Sequence, residues 1–253
     1  MKLWVVGGSR GIGCGVGRAF LERNPSGMLW ISARNSRTEE SERMSEAFPG
    51  RVQFKDLDIC DDKSIGRITK EIVSEGGNLT GILNTVGLLH DGGKSKGKPE
   101  RRLKDIEVDW AMQNFAVNAL GPLLLAKWAI TENILDSKLE NTFIVNLSAK
   151  VGSISDNKIG SWYSYRGSKA AQNMFNKCVA IEATRLKKNT VCFGIHPGTV
   201  DTSLSKPFTG SITHEVFSIE KASHQIYNLL FVSLNKETYH GNLVSYDGSI
   251  IQP

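Results

Sequence analysis

Short apolar runs alternate with longer stretches whose apolar residues recur at helical spacing, and this pattern continues from one end of the chain to the other. The runs Leu3–Val6, Met28–Ala33, Val52–Leu57, Gly81–Val86, Thr142–Leu147, Val191–His196 and Asn242–Tyr246 are predicted as strands. Helices are predicted over Gly11–Asn24, Glu39–Phe48, Lys63–Ser74, Asp109–Asp136, Ser164–Lys187 and Ile219–Leu234. Strands that alternate with helices pair in parallel through right-handed crossovers. The expected fold is therefore α/β and three-layered, with a seven-stranded, mainly parallel, doubly wound sheet. No repeat, low-complexity tract or Pro/Ser-rich linker divides it, so residues 1–253 are expected to form a single domain.

Two segments break the alternation. Asp91–Lys104 is polar and rich in glycine, and reads as a solvated loop. Thr199–Phe217 mixes Pro207, Gly210 and short apolar pieces, a length and composition common in lids and binding elements. Inside the long fourth helix, Pro122 lacks the N–H that a helix ladder needs and should disturb it locally.

Composition narrows the class. With 253 residues, 40% of them apolar, the chain has ample material for a buried core. The formal charge of +5 is modest, and much of the basic excess sits in Lys94–Lys104 rather than along a recognition element, which argues against nucleic-acid binding. The opening Met1–Val6 is too short for a signal-peptide core, and no apolar stretch is long enough to span a bilayer. Cys14, Cys60, Cys178 and Cys192 show no metal-like spacing, so no metal is expected and reduced thiols in a cytoplasmic protein account for them. Cys14 reads as a small packing residue, although its place in the first turn of a helix would favour a thiolate.

The first strand ends in Val6-Gly7-Gly8-Ser9-Arg10-Gly11-Ile12-Gly13 and runs into a helix. Glycines at positions 7, 11 and 13 let backbone approach a pyrophosphate and aim the helix N-terminus at its charge. At the end of the second strand, Ile31-Ser32-Ala33-Arg34-Asn35 offers Arg34, with Arg37 behind it, and no acid. Arg10 reaches the same region. Guanidiniums without a carboxylate suit a ribose 2′-phosphate, so NADP(H) is the expected cofactor.

Tyr165-Arg166-Gly167-Ser168-Lys169 places a phenol and an ammonium on one helix face, where the cation favours the phenolate and lowers the phenol's pKa. Ser148 ends an apolar strand at the edge that faces the ligand crevice of such sheets. Asn118 lies among apolar helical neighbours, where a buried amide needs a partner.

The ordered set Gly7/Gly11/Gly13, Asn84-x-x-Gly87, Asn118, Ser148, Tyr165-x-x-x-Lys169 and Pro197-Gly198 resembles the short-chain dehydrogenase/reductase family, over essentially the whole chain. The segment His196–Thr202 with Leu204–Phe208, together with Trp162–Arg166, resembles its C-factor/sniffer-like carbonyl reductases. The resemblance implies a Rossmann fold and an NADPH-dependent oxidoreductase acting on a small or medium carbonyl compound or its alcohol, as a homodimer or homotetramer. It implies that Tyr165 is the general acid/base, that Lys169 binds the nicotinamide ribose and depresses the phenol, that Ser148 bonds the substrate oxygen, and that Asn118 holds a water of a proton relay. It also implies cofactor contacts from Ser9, Arg10, Ile12, Asp58, Ile59, Asn84, Gly87, Pro197, Gly198, Val200 and Thr202.

Val6 stands where the family usually has Thr, so one hydroxyl that braces the first turn is missing. Thr85-Val86 replaces the middle of the usual Asn-Asn-Ala-Gly. Trp162, Tyr163 and Leu204–Phe208 either line an apolar pocket or simply pack under a loop. His90 reads as an exposed loop residue and His196 as structural. A non-catalytic NADP(H)-binding regulatory protein would need the glycine turn and Arg34 but not Tyr165. A sugar-nucleotide epimerase shares Tyr-x-x-x-Lys but not this glycine spacing or chain length.

Overall fold

The computed structural model describes residues 1–91, 97–211 and 215–253. Its sheet is built around β1 (Lys2–Val6), which pairs in parallel with β2 (Met28–Ala33) on one side. β3 (Val52–Asp56) lies beyond β2, and β4 (Gly81–Asn84) flanks β1 on the other side. β5 (Thr142–Leu147), β6 (Thr190–His196) and β7 (Leu243–Ser245) continue the parallel series past β4. The order is β3-β2-β1-β4-β5-β6-β7-β8, with β8 (Ile250–Ile251) antiparallel to β7. Strand order reverses between β1 and β4, which opens a crevice at the carboxyl ends of the strands.

Among the described residues the sheet thus has eight strands rather than the expected seven. The added one is a short hairpin return: Gly248, at φ +86°, turns the chain and donates to Ser245 O at 2.9 Å. Asp247-Gly248 is a recognised hairpin signal, so the return was readable.

The helices are α1 (Gly11–Arg23), α2 (Glu39–Ala47), α3 (Asp62–Gly76), α4 (Val108–Phe115), α5 (Gly121–Thr131), α6 (Tyr163–Arg185), α7 (Ile219–Phe231) and α8 (Lys236–Tyr239). Alternation along β1 sends Leu3 and Val5 into one core with Val16 and Phe20 of α1 and Ile226 and Leu230 of α7. Trp4 and Val6 enter the opposite core with Ile65, Ile68 and Ile72 of α3, Leu125 of α5 and Ala180 of α6. Two apolar faces covered by helices are what make every central strand nearly uniformly hydrophobic. The polar edge of one buried indole is also satisfied, since Trp4 Nε1 donates to Ser32 Oγ at 2.8 Å.

The predicted continuous helix over 109–136 is in fact two helices joined by a π-helical turn, Ala116–Leu120. Pro122 explains it: an α-helix would bring the N–H of residue 122 to the carbonyl of Asn118, and proline has none. The ladder widens one turn upstream, with Gly121 N donating to Ala116 O. The loop expected over Asp91–Lys104 lies partly outside the described residues, at 92–96, as does part of 199–217, at 212–214. The rest of the first loop is not simply solvated. Glu100 is buried and accepts from Ser164 N at 3.2 Å and from Ser164 Oγ at the start of α6.

Candidate active site

The glycine turn sits where β1 ends. Gly7 and Gly11 have φ of +84° and +57°, the left-handed region that glycine enters without a Cβ penalty. Gly13 is required by contact instead, because a Cβ there would lie 2.5 Å from both Gly7 O and Thr85 Oγ1. That threonine hydroxyl takes the place of the one that Val6 lacks. It donates toward Val6 O and Gly7 O, at 3.1 and 3.0 Å, so the hydroxyl lost at Val6 is supplied from the end of β4. Ser9 is buried and its carbonyl accepts from the Thr38 hydroxyl, while Arg10 is the exposed N-cap of α1.

The predicted ribose-side residues separate. Arg34 is exposed at the carboxyl end of β2. Arg37 is turned away, over the Phe54 ring at 4.4 Å and toward Glu42 at 3.5 Å. An acid does reach the turn after all: Glu40, from the first turn of α2, accepts from Gly11 N at 3.1 Å. It was missed because it lies beyond the strand end where such acids are sought. Asp58 is exposed and accepts from Cys60 N at 2.9 Å, whereas the Ile59 side chain is buried in the second core and packs against Gly121.

Across the crevice, Asn84 is fully buried and begins a chain of amides. Its Nδ2 donates to Asn146 Oδ1 at 3.0 Å, and Asn146 Nδ2 donates to Asn176 Oδ1 at 2.8 Å. Gly87 is the focus of the site, since a Cβ there would have Asn118 Oδ1 at 3.8 Å, Lys169 Nζ at 4.0 Å and a Leu204 methyl at 4.0 Å. The Asn118 amide is wholly committed. Its Oδ1 accepts from Leu88 N at 2.7 Å, and its Nδ2 lies 2.8 Å from Leu88 O and 3.0 Å from Ser168 Oγ.

Tyr165 and Lys169 are buried in the first turns of α6, with the ammonium 5.9 Å from the phenol ring centre. Lys169 Nζ donates to Leu147 O at 2.8 Å and to Gln172 Oε1 at 3.1 Å. Ser148 Oγ donates to Asn173 Oδ1 at 2.7 Å. Gln172 and Asn173 were not singled out from sequence, although they follow Lys169 at i+3 and i+4, the spacing that shares its helix face.

Burial pushes the Lys169 ammonium down to about 7 and the Tyr165 phenol above its ordinary value. The expected lowering of the phenol does not appear, because burial dominates and Lys169, itself desolvated, loses its proton well before the phenol would. The unfolded chain keeps its proton on this lysine up to the ordinary 10.5, the folded chain only to about 7. Folded stability should thus rise with pH across that window, and Tyr165 opposes the rise only above 10.0. Lys169→Met is expected to flatten the rise in Tm between about pH 7 and about pH 9. An unchanged slope would show that the ammonium is not desolvated.

The far rim comes from the segment after β6. Gly198, at φ +78°, leaves no room for a Cβ beside the Phe217 ring at 2.6 Å, and the chain turns at Pro197-Gly198. Val200 is buried with Phe217 and Ala222, so its side chain is structural, while a Thr202 methyl lies 4.0 Å from the Cβ position of Gly11. His90 is not the exposed loop residue expected. Its Nε2 lies 3.2 and 3.1 Å from the carbonyls of Ser203 and Leu204, and its ring meets Phe208 edge-on at 5.7 Å. Phe208 in turn meets Trp162 at 5.0 Å, and Trp162 meets Tyr165 at 6.2 Å. Tyr163 is exposed and outside this aromatic row. Cys14 is buried, and its thiol is pushed up to about 11 chiefly by desolvation, which leaves it a packing residue. Among the described residues no cluster of metal-ligating side chains occurs, and no helix is long and apolar enough to cross a membrane.

Comparison with known proteins agrees with this geometry. The sequence profile described as short chain dehydrogenase matches residues 2–211. Benzil reductase ((S)-benzoin forming) of Bacillus cereus is 23% identical, over 95% of this chain and 87% of the relative. Carbonyl reductase Sniffer of D. melanogaster superposes with a TM-score of 0.84 at 21% identity, covering 100% of this chain and 99% of that one. The NADPH-bound carbonyl reductase from chicken fatty liver superposes with a TM-score of 0.81 at 21% identity, covering 100% and 94%. With the family's profile spanning most of its length and its glycine turn, serine and Tyr-x-x-x-Lys helix gathered at one sheet edge, this chain belongs to the short-chain dehydrogenase family of oxidoreductases.

Proposed function

We propose that the chain is a carbonyl reductase that draws hydride from NADPH and delivers it to a small or medium apolar carbonyl compound. The observation that carries this reading is the convergence of Asn118, Lys169 and the open Cα face of Gly87 within 4.0 Å of one point, beside Tyr165 and the glycine turn. The residues present fit the cofactor. Gly7, Gly8 and Gly13 leave no room for a Cβ, so the turn presents backbone there, and Gly11 N already holds a carboxylate, as an anion seat would. Arg34 and Arg10 stand exposed to take a 2′-phosphate. Two relatives in structure are described as bound to NADP or NADPH, and benzil reductase and the two carbonyl reductases act on carbonyl compounds by name.

When bound, NADPH supplies the hydride. Tyr165, kept protonated by burial, gives its proton to the carbonyl oxygen as negative charge develops there. Ser148 reaches the same oxygen by rotating its hydroxyl proton away from Asn173. Lys169 in its protonated form lends positive charge to the phenol as it ionises, and it would bond the cofactor's ribose. The carbonyl of Asn118, deprived by Pro122 of its α-helical donor, is the group that holds a relay water. Trp162, Phe208 and His90 form an aromatic rim suited to an apolar, ring-bearing carbonyl substrate. One domain spanning 1–253 carries both halves of the site. The exposed apolar residues Val108, Met112 and Phe115 on α4 and Met174 and Ile181 on α6 would face a second copy in a homodimer or homotetramer. The four unpaired cysteines suit a cytoplasmic location.

The test is NADPH oxidation screened across aldehydes, ketones, vicinal diketones and quinones. Consumption with none of them, in a chain that binds NADPH, would favour a non-catalytic binding role. The cofactor assignment has its own check. Arg34→Ala should reduce the preference for NADPH over NADH by about ten- to a hundred-fold, the worth of a charged hydrogen-bond pair. An unaltered ratio of the two binding constants would remove Arg34 from the site.

A further inference from the structure

The helix that meets the dinucleotide has no cap of its own. Arg10, at the N-cap of α1, makes no side-chain capping bond, and the first turn contains no acidic residue. The anion that the N-terminus of a helix attracts comes instead from α2. Three acids lie in the first turn of α2. Glu39 pairs with Arg43 and Glu42 with Arg37, while Glu40 turns to the glycine loop and accepts from Gly11 N at 3.1 Å. The reach is fixed, not incidental, because Thr38 donates its hydroxyl to Ser9 O and so ties the start of α2 to the same turn. Glu40 also lies close enough to Cys14, one turn into α1, to add to the upward shift of its thiol.

We propose that Glu40 is a built-in competitor of the cofactor's phosphates, filling the anion seat at α1 until the dinucleotide displaces it. The proposal rests on the NADP(H) reading above. Two negative groups cannot share one helix N-terminus without repulsion, so binding must first release the carboxylate from Gly11 and then tolerate it nearby. The protein gains a filled turn in the free state and loses cofactor affinity in return. Charge, not shape, is the competing property. A glutamine at this position keeps the side-chain length and an oxygen for the Gly11 amide but removes the repulsion.

Glu40→Gln should therefore tighten binding of NADPH and of 2′,5′-ADP on the order of three- to ten-fold at low salt, by calorimetric titration. The gain should shrink as salt screens the charges. Adenosine, which has no phosphate, should bind both proteins equally. Weaker binding of NADPH to Glu40→Gln would make Glu40 a cofactor ligand and overturn the proposal, as would affinities equal to those of the unaltered chain. A matching Tm for the two proteins verifies that the substitution leaves the fold intact. If the unaltered chain binds neither NADPH nor 2′,5′-ADP, the NADP(H) reading itself fails, a result distinct from equal affinities in two binding-competent proteins.

Discussion

Tyr165→Phe is expected to bind NADPH as the unaltered chain does and to turn over substrate about 10²- to 10⁴-fold more slowly, the usual contribution of a positioned proton donor. The phenol is buried in the first turn of α6, and its ring packs edge-on to Trp162 at 6.2 Å. Phenylalanine preserves that packing and the helix, so loss of turnover would report the hydroxyl alone. Steady-state kcat, with NADPH affinity measured on the same sample, separates the two effects. Full activity in Tyr165→Phe would end the assignment of the acid.

The second large effect is on stability. Asn118→Leu removes an amide whose two ends satisfy both the N–H and the carbonyl of Leu88 and which also lies 3.0 Å from Ser168 Oγ. The side chain is fully buried, so the abandoned groups have no water to turn to. Leaving them unpaired should cost about 2–4 kcal/mol. For a chain of this size that corresponds to a fall in Tm of roughly 4–15 °C. Asn118→Asp keeps the acceptor for Leu88 N but sets a buried carboxylate oxygen against Leu88 O, and should lose at least as much. Thermal denaturation of both variants decides the matter, and a Tm within about 1 °C of the unaltered chain would show that Leu88 finds other partners.

Periodicity and glycine placement were enough to read the strands, the crossovers and the position of the crevice, because those features follow from local residue patterns. Tyr165, Lys169, Ser148 and Asn118 stood out as candidates by their places on a strand end or helix face, with roles that only the family resemblance implied. What escaped depends on contacts between distant segments. Thr85 supplies a hydroxyl that Val6 lacks, across 79 positions of sequence. Glu40 reaches Gly11 from another helix, and Gln172 and Asn173 matter only because β5 ends against their turn of α6. The His90 interaction with Ser203 and Leu204 belongs to the same group, joining two loops more than a hundred residues apart. Pro122 was seen as a disturbance, but its displacement one turn upstream, onto Asn118, required the ladder itself.

Helix α6 starts under unusual conditions. Ser161 and Trp162 both have left-handed backbone, at φ 57° and 53°, a conformation that costs roughly 1–2 kcal/mol at a residue with a Cβ. No side chain of the helix's own segment caps it. The amide of Ser164 is satisfied by Glu100, and the amide of Trp162 by the carbonyl of the same residue. The loop before α4 thus acts as the template on which α6 begins. Glu100 holds both amides, so an inserted or deleted residue between Gly97 and Glu100 is expected to break those bonds and shift Tyr165, more than sixty positions away. A surface loop is ordinarily the most forgiving place in an α/β protein to change length; here it is a ruler.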